Sequence, residues 1–180
     1  RAILDGRKSV TRRVVKPQPT FFYKYGGKIQ DPDNQDKIAF LAMTEKNGED
    51  HEEIFAAPYG PGDILYVRET WAAWSRAEGT APTIHYKADG KVLPGAKWRP
   101  SIHMPREAAR IFLRVTDVWV ERLQNINDSG VVAEGLEVGA PFDELWDRTL
   151  KPADRARYGW KENPWVWAIQ FERISGGETA

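Results

Sequence analysis

The sequence predicts an α+β domain that is mainly β, a small mixed or Greek-key barrel with short peripheral helices. Three observations predict it. Short runs of alternating, β-branched or aromatic residues recur along the chain, turns containing Gly or Pro separate them, and no strand-helix-strand rhythm of a doubly wound sheet appears. With 180 residues, 41% of them hydrophobic and 12% aromatic, the chain has the size and apolar content of one domain with a full core.

Arg1-Ala2-Ile3-Leu4 reads as the end of a helix closed by Gly6. Residues 6–20 are polar and basic and end in Lys16-Pro17-Gln18-Pro19, where two prolines exclude a helix, so a loop is expected. Phe21 to Tyr25, Gly26-Gly27 and Lys28 to Gln30 read as a hairpin, and the acidic stretch 31–53 as an exposed excursion with few apolar anchors. Pro61-Gly62-Asp63 is a turn launching a strand over 64–68, and Thr83 to Lys87 followed by Ala88-Asp89-Gly90 suggests another hairpin. Ile111, Leu113 and Val115 alternate in one phase and Val118 and Val120 in the other, which predicts a strand with a bulge near Asp117. Asn127 or Asp128 caps a short helix to Glu134 with Gly135 after it, and Pro141 opens a second. Trp165 to Phe171 alternates cleanly and is the clearest strand.

Net charge is zero and cysteine is absent. Disulfides and thiolate metal sites are thereby excluded, a cytoplasmic setting is expected, and no apolar run approaches the ~20 residues that span a bilayer. Charge is segregated along the chain: residues 1–28 carry eight Lys or Arg against Asp5, whereas 117–147 carry eight Asp or Glu against Arg122. One electropositive face is therefore compatible with neutrality, and a general polyanion binder is not favoured.

His51, His85 and His103 are far apart and show no ligand spacing, so no metal is expected; no Ser sits in a nucleophile elbow and no phosphate-binding glycine motif occurs. What remains is Gly6-Arg7-Lys8-Ser9-Val10-Thr11-Arg12-Arg13. Like-charge neighbours favour a neutral Lys8 that acts as a base, with Thr11 as nucleophile or water-orienting group. The same residues also suit a solvated basic loop with a turn-stabilising threonine.

Leu4 to Arg13 resembles the opening motif of the ASCH domains, a PUA-like β-barrel family associated with RNA. Pro61 to Trp71, Ile126 to Leu136 with its Glu-Gly-Leu ending, and Trp165 to Glu172 are similar to three further segments of that family, in the same order. The resemblance implies a single PUA-like barrel over 1–180, with insertions around 21–60 and 71–100 and a first strand upstream of Arg1. One bacterial branch is a metal-independent amidohydrolase that removes acetyl from acetylcytidine through a Lys, a Thr and a Glu, matched here by Lys8, Thr11 and Glu134, and in its length this chain also resembles ASCH proteins of phages and prophages. The resemblance thus implies Lys8 as general base, Thr11 as nucleophile or water-orienter and Glu134 as anchor or proton donor, with Arg13 stabilising an oxyanion or holding a phosphate. It implies no cofactor and, as partner, a modified nucleoside or RNA. Two alternatives accompany it: a non-catalytic module that binds RNA or a modified base, and a ribonuclease.

Arg7 and Arg12 join the candidate binding residues through their charge, and Glu69 as a second carboxylate at a strand end. Trp146, Trp165 and Trp167 read as core. Trp71, Trp74 and Trp98 lie in loop-like segments where a ring can stack on a base, with Lys97, Arg99 and Arg106 nearby as a strand-binding strip.

Overall fold

The structure, a computed structural model, describes residues 1–23, 28–30, 38–75, 80–91 and 93–175. In chain order its elements are β1 (Val10–Val14), β2 (Phe21–Phe22), β3 (Lys28–Gln30), β4 (Ile38–Lys46), β5 (Glu49–Ala56), β6 (Ile64–Tyr66), β7 (Trp71–Trp74), β8 (Thr83–Tyr86), β9 (Phe112–Arg122), α1 (Asp128–Ala133), α2 (Phe142–Thr149), α3 (Pro152–Tyr158) and β10 (Trp165–Ile174). The fold is mainly β, with few short helices and a strongly curled sheet resembling half a barrel. No helix among the described residues is long and apolar enough to cross a membrane. Two compact units result, a larger one from Ala2–Asp63 with Arg114–Glu172 and a smaller one built on Ile64–Leu113. The segments expected as insertions, 21–60 and 71–100, fall one in each.

In the larger unit one sheet has the order β1, β10, β9, with β1 and β10 antiparallel. Pairing of Val10 with Gln170, Arg12 with Ala168 and Val14 with Val166 sets these on one face, and Thr11 with Ile169 and Arg13 with Trp167 on the other. Val166 on the first face packs with Leu123, Val131, Phe142 and Trp146. Leu123 and Val166 are fully excluded from solvent, and burying side chains of this size is worth about 1.5–3 kcal/mol each. On the second face Trp167 meets Phe22 and Phe40 with ring centroids 6.1 and 5.4 Å apart. Residues 10–14, expected as loop, are therefore a strand. Its inward position is an arginine, which hides the alternation that marks a strand in sequence.

Three further expectations are corrected. β2 and β3 both pair antiparallel with β4 and do not pair with each other; residues 24–27, the expected hairpin turn, lie outside the described residues. Within 31–53, expected as an exposed excursion, β4 and β5 form a long antiparallel hairpin through Asn47-Gly48, with Ala39, Phe40, Ala42 and Thr44 buried; residues 31–37 lie outside the described residues. The apolar run Ile38 to Met43 that carries β4 is flanked by acidic segments, whose polarity sets the character of the stretch as a whole. The Thr83 strand also finds its partner upstream: β8 pairs with β7, and residues 87–89 form a turn of 3-10 helix closed by Gly90.

The strand after Pro61-Gly62-Asp63 is present as β6, over Ile64–Tyr66, and the helix after Pro141 as α2, whereas residues 2–6, expected as a helix end, form turns. Burial in β9 follows Leu113 and Val115 and then changes phase to Val118, where the Asp117 carboxylate accepts the Val118 N–H at 2.9 Å. Asn127 caps α1, its Oδ1 accepting from the Gly130 N–H at 2.9 Å.

Candidate functional site

The end of α1 and the start of β1 meet through one glycine. Gly135 follows the helix at φ +89°, and a Cβ there would come within 2.8 Å of Ala2 Cβ and 2.9 Å of Lys8 Cβ. Only glycine combines that backbone conformation with so close an approach. The contact is fixed on both sides: the Ser9 N–H donates to the Ala133 carbonyl at 2.8 Å, and Arg7 Nη1 donates to the Gly135 carbonyl at 2.7 Å. Lys8 and Glu134, 126 residues apart, are thereby paired across an isolated β-bridge, with Lys8 Nζ donating to Glu134 Oε2 at 2.6 Å.

A chain of alternating charge continues from this pair. Arg12 Nη1 donates to Glu134 Oε1 at 3.3 Å, Arg12 Nε to Glu121 Oε1 at 2.7 Å, and Trp119 Nε1 to Glu121 Oε2 at 3.1 Å. The Arg12 side chain is 4% exposed and that of Glu134 8%. Charges buried to this degree persist only when paired, and here two cations face two carboxylates. Among the described residues Arg12 Nη2 has no hydrogen-bond partner.

Arg12 lines a cleft of about 340 Å³ together with Trp119, Glu121, Asn127, Gly130 and Gln170. A second cleft, of about 400 Å³, shares Trp119, Glu121 and Asn125 with the first and is otherwise walled by Phe22, Tyr23, Phe40 and Trp165. Trp165 carries the Arg122 guanidinium 4.4 Å from its ring centroid, and burial holds the Arg122 pKa below its ordinary value.

The residues singled out in the sequence separate into three groups. Lys8, Arg12 and Glu134 are joined in one cluster, and Arg7 braces it through Gly135 while pairing with Asp5 at 3.2 Å. Thr11 and Arg13 lie on the face of β1 opposite Arg12; Thr11 shares that face with Ile169, and Arg13 Nη1 donates to the Arg12 carbonyl at 3.1 Å. Glu69, Trp71, Trp98 and Arg99 belong to the smaller unit. There Glu69 accepts both ends of a bidentate bond from Arg110 at 2.8 Å, and Arg110 also pairs with Asp89 and lies 3.9 Å from the Tyr86 ring centroid. Trp71 is buried with Met104 and Ala108, Arg99 stands over its ring at 5.1 Å, and Trp98 is half-buried.

Sequence reasoning did not find Trp119, Glu121 or Gly130. A signal for the first two exists in the phase change at Asp117, which turns positions 119 and 121 to the face opposite Val118. Among the described residues no three His, Cys, Asp or Glu side chains gather as a metal site would require. No known protein family, no curated protein and no solved structure matches the chain.

Proposed function

We propose that the chain is a metal-independent amidohydrolase that removes the acyl group from an N-acylated cytosine nucleoside, with Lys8 and Glu134 as its proton-transfer pair. The observation that carries the reading is the 2.6 Å contact between Lys8 Nζ and Glu134 Oε2. Amide hydrolysis needs a base for the attacking water and an acid for the leaving amine. Glu134 takes a proton from water as the oxygen adds to the acyl carbon, and Lys8 gives one to the exocyclic nitrogen as the carbon–nitrogen bond breaks. The proton then passes from Glu134 to Lys8 along their contact, which restores both groups. Water supplies the carboxylate oxygen, and the products are a carboxylic acid and the free nucleoside. No step falls to Thr11, which stands on the other face of β1 from Arg12.

The test is release of cytidine from acetylcytidine. Lys8→Ala and Glu134→Ala are each expected to lower kcat by about 10²–10⁴-fold, the usual worth of a general acid or base, while Thr11→Ala retains most of the activity. Wild-type rates in both of the first two variants, or no turnover by the wild type, refute the reading. The second cleft favours one alternative, a module that binds a modified base without chemistry: its walls are aromatic, and the Trp165 indole N–H is buried without a partner among the described residues. That alternative is expected to give saturable binding of acetylcytidine with no product.

A further inference from the structure

The guanidinium that holds Glu134 through Nη1 has a second terminal nitrogen that the acid–base pair does not use. Arg12 is almost wholly buried, its Nε and Nη1 are engaged by Glu121 and Glu134, and Nη2 has no partner among the described residues. The wall beside Nη2 is Gly130, which lines the same cleft as Arg12; a Cβ at that position would stand 3.2 Å from Nη2 and 2.8 Å from Ile126 Cγ1. Gly130 lies within α1 with no left-handed backbone angle. Helix geometry therefore gives no reason for glycine there, and alanine is the better helix former. The missing side chain instead lets Ile126 and the guanidinium close in on α1, where Arg12 and Gly130 line one cleft.

We propose that Arg12 Nη2, in the cleft it lines with Gly130 and Asn127, is a donor site for an uncharged carbonyl oxygen. Charge decides between a carbonyl and an anion. Lys8 and Arg12 are balanced by Glu134 and Glu121, so the cluster has no surplus positive charge to hold an anion beside two carboxylates, whereas a neutral acceptor completes the guanidinium at no electrostatic cost. Asn127 supports the same choice. Its Oδ1 is occupied by the Ser129 hydroxyl and the Gly130 N–H, leaving its amide nitrogen as a second donor on the cleft. The inference deepens the hydrolase reading and rests on it only in identifying the carbonyl as the acyl oxygen of the substrate. Arg12 then holds Glu134 with one nitrogen and the acyl oxygen with the next.

Acetamide is the probe, titrated into isotope-labelled protein while the Arg12 side-chain N–H and the Gly130 backbone N–H signals are followed. Saturable shifts of both are expected. Gly130→Ala should weaken acetamide at least tenfold; its Cβ also meets Ile126 Cγ1 at 2.8 Å, so its melting temperature falls and affinity is read well below it. Arg12→Lys, which keeps a cation toward the carboxylates but has no second terminal nitrogen, should weaken it similarly. Failure of acetamide to move the Arg12 signals, or equal affinity in Gly130→Ala, overturns the proposal. The two readings fail separately: acetylcytidine turnover without an acetamide response at Arg12 refutes this site alone, and the acetamide response without turnover refutes the hydrolase alone.

Discussion

Replacing Arg12 by methionine removes a cation from between two carboxylates while keeping an unbranched apolar stem in place. Two bonds are lost, at 2.7 Å to Glu121 and 3.3 Å to Glu134. Deleting one partner of a buried ion pair costs about 3–5 kcal/mol, because the survivor is left charged and desolvated. Each carboxylate keeps one donor, Lys8 for Glu134 and Trp119 for Glu121, and the Glu121 side chain is 18% exposed. The lower end, about 3 kcal/mol, is therefore expected. With a urea m-value of about 1–2 kcal/mol/M, the unfolding midpoint falls by about 1.5–3 M. Removing one of the two stranded charges as well, in Arg12→Met combined with Glu121→Gln, should recover part of the loss, since only Glu134, which keeps Lys8, then faces the methionine. A loss below about 1 kcal/mol in Arg12→Met, or no recovery in the double variant, refutes the buried charge chain.

Gly135→Ala faces both a left-handed backbone and Cβ contacts of 2.8 and 2.9 Å with Ala2 and Lys8. A cost of about 1–3 kcal/mol is expected, together with loss of acetylcytidine turnover as Lys8 is pushed from Glu134; a variant that melts and turns over like the wild type contradicts the bracing role. In the smaller unit, burial raises the Tyr86 pKa above its ordinary 10.0, partly offset by the Arg110 charge. A phenol whose folded pKa is raised stabilises fully below the unfolded value and loses that contribution as pH climbs through the folded one. Unfolding followed above pH 10 should thus show wild-type stability falling more steeply than that of Tyr86→Phe, and parallel curves would remove Tyr86 as the cause.

What the sequence disclosed follows from where each signal resides. The α1 cap and Gly135 depend on residues within one turn of the backbone they serve, so Asn127 and the glycine are readable without any tertiary knowledge. β10 is readable because both of its faces carry apolar side chains in strict alternation. β1 and β4 fail the same test for opposite reasons: Arg12 fills an inward position that hydropathy assigns to solvent, and the apolar run Ile38 to Met43 is masked by the acidic residues on either side of it. The pairing of β2 and β3 with β4 is tertiary, and the adjacency of two runs around Gly26-Gly27 suggested the nearer partner. Lys8 and Glu134 were linked only by motif, since no local property of a lysine predicts a carboxylate 126 residues away.

The basic run 7–13 shows how pairing alters the meaning of charge. As a string of four cations it also suits a solvated basic loop on an electropositive face. In the fold Arg7 is tied to Asp5 and the Gly135 carbonyl, Lys8 to Glu134, and Arg12 to Glu134 and Glu121, while Arg13 is turned to the opposite face. A cation already neutralised by a carboxylate has few condensed counterions to exchange, so it adds little to polyanion affinity or to its salt dependence. The same pairing suits directional chemistry, because a buried donor held by two carboxylates keeps its remaining N–H in a fixed position. Glu121 and Glu134, two acids of the 117–147 segment, thus turn an apparent basic loop into a paired polar cluster, and the segregation of charge along the chain is met there by contact between the two segments.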